Sequence, residues 1–200
     1  MNAMMEQPLT FLGHATPAGV FRARAQEWAA MPALRHKRRG LWQSLSWAEY
    51  YAQARALGLA LADLGVRRGE VVAVLAENRP EWVIADIGAQ AMGIVGNGIY
   101  PTASPEQMRY ILQDSETRVL IVENQEQLEK ALAVRAECPA LVKIVVIEPE
   151  GLRKLADPDV LFWTDLLDRG MALAQTRAAE FEAAIDAGRS ADLAFLVYTS

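Results

Sequence analysis

Tyr198, Thr199 and Ser200 are the residues whose types and order point most directly to chemistry. They follow a short uninterrupted apolar run, residues 194–197, which Asp192 and Leu193 introduce. An apolar strand that runs into hydroxyl side chains is a common opening for a phosphate-holding loop. The strand fixes the position, and the hydroxyls donate hydrogen bonds to oxyanions. A plain strand-end cap is the competing structural reading.

Other reactive residue types are sparse. His14 and His36 have no carboxylate or cysteine at metal-ligand spacing and read as surface residues. Cys138 stands alone before Pro139, so no intrachain disulfide or cysteine metal cluster can form, and it reads as a core thiol at a helix end. The five tryptophans sit at element starts and ends, where core packing is the default. Lys37, Arg38, Arg39 and Gly40 form a basic, turn-like cluster between two short candidate strands. It reads either as an anion contact or as a solvated hairpin tip.

The elements that must position these residues repeat a strand–helix pattern. Apolar runs at 71–75, 94–99, 119–122, 144–147 and 194–197 are the strands. Their side chains are apolar on consecutive residues rather than alternate ones, as in strands buried on both faces of a parallel sheet. Helix starts are marked by caps: Thr16 before Pro17, the box Ser46-Trp47-Ala48-Glu49, Asn78 ahead of Pro80 and Glu81, and Ser104-Pro105-Glu106-Gln107. Helices are predicted over 17–30, 47–64, 79–92, 105–114, 125–137, 163–174 and 177–187, with Gly65 and Gly188 as stops. Within the third, Asp86 and Gln90 lie four apart and share one face of a helix predicted to be buried nearly all round. The loop at 149–159 is the best site for an insertion.

The chain has 200 residues, 52% hydrophobic and 22% charged, enough for a sizeable core and about one domain. Its net charge of -5 argues against a nucleic-acid-binding domain. Residues 1–8 lack the basic and apolar regions of a secretory signal, and the window 82–100 is too polar for a membrane span. A single cysteine suits a reducing, intracellular setting. No G-x-G-x-x-G follows the strand at 71–75, where Ala76-Glu-Asn-Arg-Pro80 stands instead, and there is no Walker A motif. A dinucleotide-binding domain is disfavoured on that ground.

Three blocks carry a family resemblance: Gly40-Leu-Trp-Gln-Ser-Leu-Ser-Trp-Ala-Glu-Tyr50, the stretch from Leu64 to Trp82 with Val71-Val-Ala-Val-Leu75 at its centre, and Gly98-Ile-Tyr-Pro-Thr-Ala-Ser-Pro-Glu-Gln-Met-Arg-Tyr-Ile-Leu112. In order and spacing they resemble the AMP-forming acyl-CoA synthetases, in particular the bacterial long-chain fatty acid–CoA ligases. The resemblance covers about residues 18–200. It implies an α/β fold with a mainly parallel sheet, an incomplete N-terminal part of the large adenylate-forming domain. Residues 1–15 would be a mobile lead-in, and residues 16–200 the first part of the AMP-binding domain, reaching the start of its phosphate loop.

The implied chemistry has two steps: a fatty acid and ATP form acyl-AMP, then coenzyme A takes the acyl group and AMP leaves. Phosphate-centred chemistry of this kind is mostly positioning and charge neutralisation. The resemblance assigns Thr199 and Ser200 as the first hydroxyl donors to the β- and γ-phosphates, with Mg²⁺ and further residues downstream. It gives no catalytic residue here. Asp86, Gln90, Tyr100 and Thr102 read as structural. The implied partners are fatty acid, ATP and CoA. The implied setting is cytoplasmic, compatible with peripheral contact at the inner membrane face and with a homodimer. A ligase for an aromatic or short-chain acid, and a non-catalytic interaction module, are the alternatives.

Overall fold

A computed structural model describes residues 10–152 and 155–199. Six strands form one sheet in the order β7-β6-β5-β3-β4-β8: β3 (Val71–Leu75), β4 (Val95–Ile99), β5 (Val119–Val122), β6 (Lys143–Val146), β7 (Val160–Phe162) and β8 (Phe195–Leu196). Every neighbouring pair is parallel, as the consecutive apolar runs predict. A separate antiparallel hairpin, β1 (Pro32–Arg38) and β2 (Leu41–Ser46), stands beside it.

The strand residues divide cleanly between two cores. Val72, Val74, Val119, Ile121 and Val145 face α1 (Pro17–Glu27), α2 (Trp47–Asp63), α3 (Pro80–Ala91) and the start of α6 (Trp163–Asp186). Ala73, Leu75, Leu120, Val122, Ile144 and Val146 face α4 (Pro105–Asp114) and α5 (Gln125–Val134). A strand between two helical layers needs apolar residues at every position, and that is why its period-2 signal disappears.

The caps show what starts each helix. Ser46 and Ser104 both form complete capping boxes, with Glu49 and Gln107 reaching back to the cap N–H. Thr16 accepts from the Gly19 N–H at 3.2 Å. Asn78 does not cap α3. Arg79 does, with φ -152° and ψ 159° and no side-chain hydrogen bond. Pro80 forces the residue before it into extended backbone, so the cap position falls on residue 79, one past the asparagine.

Four further boundaries differ from expectation. The first helix starts at Pro17 as its cap predicts but stops at Glu27, and residues 28–30, expected to be helical, form a turn. The 3₁₀ turn Arg135–Glu137 finishes the helix predicted over 125–137. Val160–Phe162 adds an edge strand after the 149–159 loop. The two helices predicted over 163–174 and 177–187 are one 24-residue helix, α6, because Gln175 and Thr176 contain no breaker. No residue of α3 is exposed, as its composition predicts.

Candidate functional site

The chain crosses from one side of β3 to the other between β4 and β5, so the β3/β5 boundary is a topological switch point, where doubly wound sheets hold ligands. Here it is filled by the protein itself. Arg79 reaches Glu81 at 2.9 Å, Glu123 at 3.2 Å and Glu148 at 3.1 Å. The Glu77 N–H donates to Glu123 at 2.7 Å, tying the two strand-end loops together. Burial pushes the Glu81 carboxyl up, but its bonds to Arg79 outweigh that and hold it below the usual range. A closed ion cluster replaces the glycine turn of a dinucleotide site.

The open space lies on the other side of β4, where β8 ends. Two glycines of β4 set this up. An added Cβ at Gly96 would lie 2.7 Å from the Phe195 ring, and one at Gly98 would lie 3.3 Å from it. The glycines therefore seat Phe195, which also packs on Trp82 with ring centroids 5.9 Å apart. By alternation Leu196 and Tyr198 fall on the opposite face. There the Tyr198 hydroxyl donates to Asp114 at 2.7 Å and its ring stands edge-on to Tyr110. Burial, then this carboxylate, push the Tyr198 phenol up to about 12. Upstream, Asp192 is pinned by the Arg189 N–H at 2.8 Å and by the Arg68 guanidinium. The terminal segment is thus fixed at Asp192, Phe195 and Tyr198.

These contacts deliver Thr199, exposed, to the lip of a cavity of about 670 Å³. Tyr100, Thr102, Gln107 and Tyr110 line it with Tyr198. Ser200, the other assigned phosphate donor, lies outside the described residues. Tyr100 and Thr102 join the cavity, although composition and spacing rank them as structural. Glu106 is the one charged group among its described lining residues, so the cavity offers hydroxyls and aromatic faces but no cation. Among the described residues no group of three or more His, Cys, Asp or Glu could hold a metal.

Asp86 and Gln90 lie on the far face of the sheet. Gln90 Nε2 donates to Asp86 Oδ1 at 2.9 Å, and a Cβ at Gly96 would meet that oxygen at 2.7 Å. The pair packs over β4 and stands away from the Thr199 cavity. Burial raises the Asp86 pKa, and the Gln90 bond only partly offsets this. The folded state therefore holds this proton more tightly than the unfolded chain does. Such a carboxyl lowers stability as pH climbs from its ordinary value through its raised one, and the cost is absent below both. Asp86→Asn keeps the acceptor and removes the charge. The substitution should raise the melting temperature at neutral pH and leave it unchanged in strong acid, measured by thermal denaturation across pH.

Two of the five tryptophans depart from the expected core packing: Trp42 and Trp28 are exposed, whereas Trp163 is buried and Trp47 and Trp82 are half-buried. Cys138 is buried, as its position suggests.

Comparison with known proteins agrees with this architecture. Residues 21–200 match the family described as AMP-binding enzyme. The long-chain-fatty-acid–CoA ligase ACSBG1 of Rattus norvegicus is 32% identical over 181 residues, 90% of this chain and 24% of that protein. The long-chain-fatty-acid–CoA ligase ACSBG2 of the same species is 31% identical over 191 residues, 94% of this chain and 28% of that protein. The chain thus spans about a quarter of the length of these relatives. Among solved structures, an anthranilate CoA ligase in complex with anthranoyl-AMP superposes with a TM-score of 0.61 at 32% identity, covering 65% of this chain and 24% of that one. Coronafacic acid ligase from Pectobacterium brasiliense reaches 0.70 at 14% identity over 90% of this chain and 33% of its own, a likeness of fold. On the match that runs from Phe21 to the final residue, this chain belongs to the AMP-binding enzyme family.

Proposed function

We propose that the protein containing this chain is an AMP-forming long-chain fatty acid–CoA ligase. The observation that carries the reading is the Tyr198–Thr199 segment, held at the end of β8 beside an open cavity, in a chain whose family is AMP-binding. In the first step a carboxylate oxygen bonds to the α-phosphorus of ATP, and the bond to pyrophosphate breaks. In the second, the CoA sulfur bonds to the acyl carbon and AMP departs.

This part of the chain would contribute positioning. Thr199, with Ser200 after it, would donate hydroxyl hydrogen bonds to the β- and γ-phosphate oxygens. β8 holds Thr199 at fixed height through its pairing with β4. The cavity's lack of a cation means that charge neutralisation must come from residues outside this lining and from the metal that accompanies ATP. The names of the ACSBG relatives favour a long-chain acid. The anthranilate ligase, at 32% identity, favours a second reading in which the acid is aromatic.

AMP release by the intact protein separates the two. With ATP, CoA and Mg²⁺ supplied, a long-chain acid such as palmitate should drive AMP formation well above benzoate or anthranilate. Preference for the aromatic acids would install the second reading.

A further inference from the structure

We propose that Asp114, the last residue of α4, is a positioning residue for the phosphate role read above for Thr199, on which this inference rests. Asp114 acts through Tyr198. It fixes the chain one residue ahead of the hydroxyl that meets the β- and γ-phosphates, and it touches no substrate itself.

Strand pairing alone does not place Thr199. Phe195 and Leu196 pair with Gly96 and Asn97, and the Gly96 N–H donates to the Ala194 carbonyl at 3.0 Å. Val197 lies past the paired residues and is exposed. Among the described residues, Tyr198 is therefore the last anchored side chain before Thr199. Its hydroxyl donates to the Asp114 carboxylate at 2.7 Å, and its ring stands edge-on to Tyr110 with centroids 6.3 Å apart. Tyr110 and Asp114 are one turn apart on α4, so one helix face offers a single side chain both a ring wall and an acceptor.

The end of α4 is built against local preference. The Glu116 N–H donates to the Gln113 carbonyl at 3.2 Å and the Thr117 N–H to the Leu112 carbonyl at 3.1 Å. In that helix-ending motif the residue after the cap is left-handed and usually glycine, yet here it is Glu116, with φ 50°. Asp114 puts a carboxylate in the last turn, where the helix dipole disfavours negative charge. Among the described residues Asp114 makes no ion pair, and Tyr198 is its side-chain hydrogen-bond partner. Breaks of local rules without local compensation are expected where function sets the choice. Around them the helix is held firmly. Arg109 pairs with Glu137 at 2.6 Å, Gln113 Nε2 donates to the Glu137 carbonyl at 2.7 Å, and Ser115 Oγ donates to the Ile111 carbonyl at 2.6 Å. The acceptor offered to Tyr198 is thus fixed in space.

Calorimetry on the intact protein tests this with two probes, Mg-ATP and AMP. AMP lacks the β- and γ-phosphates, so it reads the nucleotide site without Thr199. Asp114→Ala and Tyr198→Phe should each weaken Mg-ATP binding roughly tenfold and leave AMP binding unchanged. Combined, they should still cost about tenfold rather than about a hundredfold, because both remove the same hydrogen bond. Asp114→Asn keeps an acceptor and should retain most of the affinity. Equal loss of Mg-ATP and AMP affinity would reduce Asp114 to a purely structural residue. Additive losses would place its effect outside the Tyr198 bond. Either result would overturn the proposal, and so would unchanged Mg-ATP binding in Asp114→Ala. Thr199→Ala separates the two levels of failure. If it weakens Mg-ATP binding while Asp114→Ala does not, the phosphate reading stands and the role of Asp114 falls. No Mg-ATP binding by the wild type, or unchanged binding in Thr199→Ala, removes the phosphate reading and the role of Asp114 with it.

Discussion

Gly170→Ala should destabilise the protein by up to about 2 kcal/mol, although glycine-to-alanine in a helix normally stabilises. Gly170 lies inside α6 where that helix crosses α2. A Cβ added there would fall 2.0 Å from the carbonyl oxygen of Ala56, a backbone atom that cannot rotate away. The alanine would gain roughly 1 kcal/mol of helix propensity. Overpacking a tight contact costs about 1–3 kcal/mol, and more where only backbone can move. Here the clash wins, because relieving it shifts a 24-residue helix off its partner and disturbs the buried packing of Phe181 and Leu59. Gly88→Ala should act the same way in α3, where a Cβ would meet the Ala54 carbonyl oxygen at 2.6 Å. Urea denaturation reads both: the midpoint should fall with the slope unchanged. A midpoint at or above wild type would mean that α6 does not approach α2 this closely.

Thr199→Ala should slow adenylation by the intact protein about 10- to 100-fold, and Ser200→Ala by a similar factor. A hydrogen bond to a charged group is worth about 1.5–3 kcal/mol, and a donor aimed at developing charge acts where water is excluded. The cost to folding should be small, because Thr199 is exposed and its side chain makes no hydrogen bond among the described residues. The diagnostic pattern is a loss in kcat/KM for ATP with an unchanged melting temperature. Thr199→Ser, which keeps the hydroxyl, should recover most of the rate. Full activity in the double alanine variant would remove these hydroxyls from phosphate binding.

Much of the fold is legible in the sequence because burial leaves simple patterns. Val71–Leu75 is buried at every position, and an unbroken apolar run records that directly. Ser46 and Ser104 announce their helices because a capping box is a local device, closed within four residues. What stays hidden depends on distant partners. Gly96 and Gly98 look like flaws in a strand, and only the Phe195 ring, a hundred residues on, together with Asp86 and Trp82 of α3, explains them. Gly170 likewise makes sense only once α2 lies against it. The β8 run looks like a strand covered on both faces, yet it is half-buried, with Val197 exposed, because β4 alone pairs with it among the described residues.

The site was legible in a narrower sense. Hydroxyls after an apolar run mark the lip, and the structure brings Thr199 to an open cavity with Tyr100 and Thr102. The aromatic wall of Tyr110 and Tyr198 left no sequence signal: Tyr110 looks like one more helix residue until its ring meets Tyr198. The Arg79 cluster that closes the switch point was nearly as silent: Glu81 sits beside it in the first turn of α3, but Glu123 and Glu148 come from the distant ends of β5 and β6.

Acid-dependent exchange of labelled pyrophosphate into ATP, run on the intact protein without CoA, tests the central claim most directly. It reads the first chemical step alone, before any thiol is needed. Exchange that requires a long-chain fatty acid, and that falls in Thr199→Ala, is the predicted result. Absence of exchange with every carboxylate offered, long-chain, short-chain or aromatic, would contradict it.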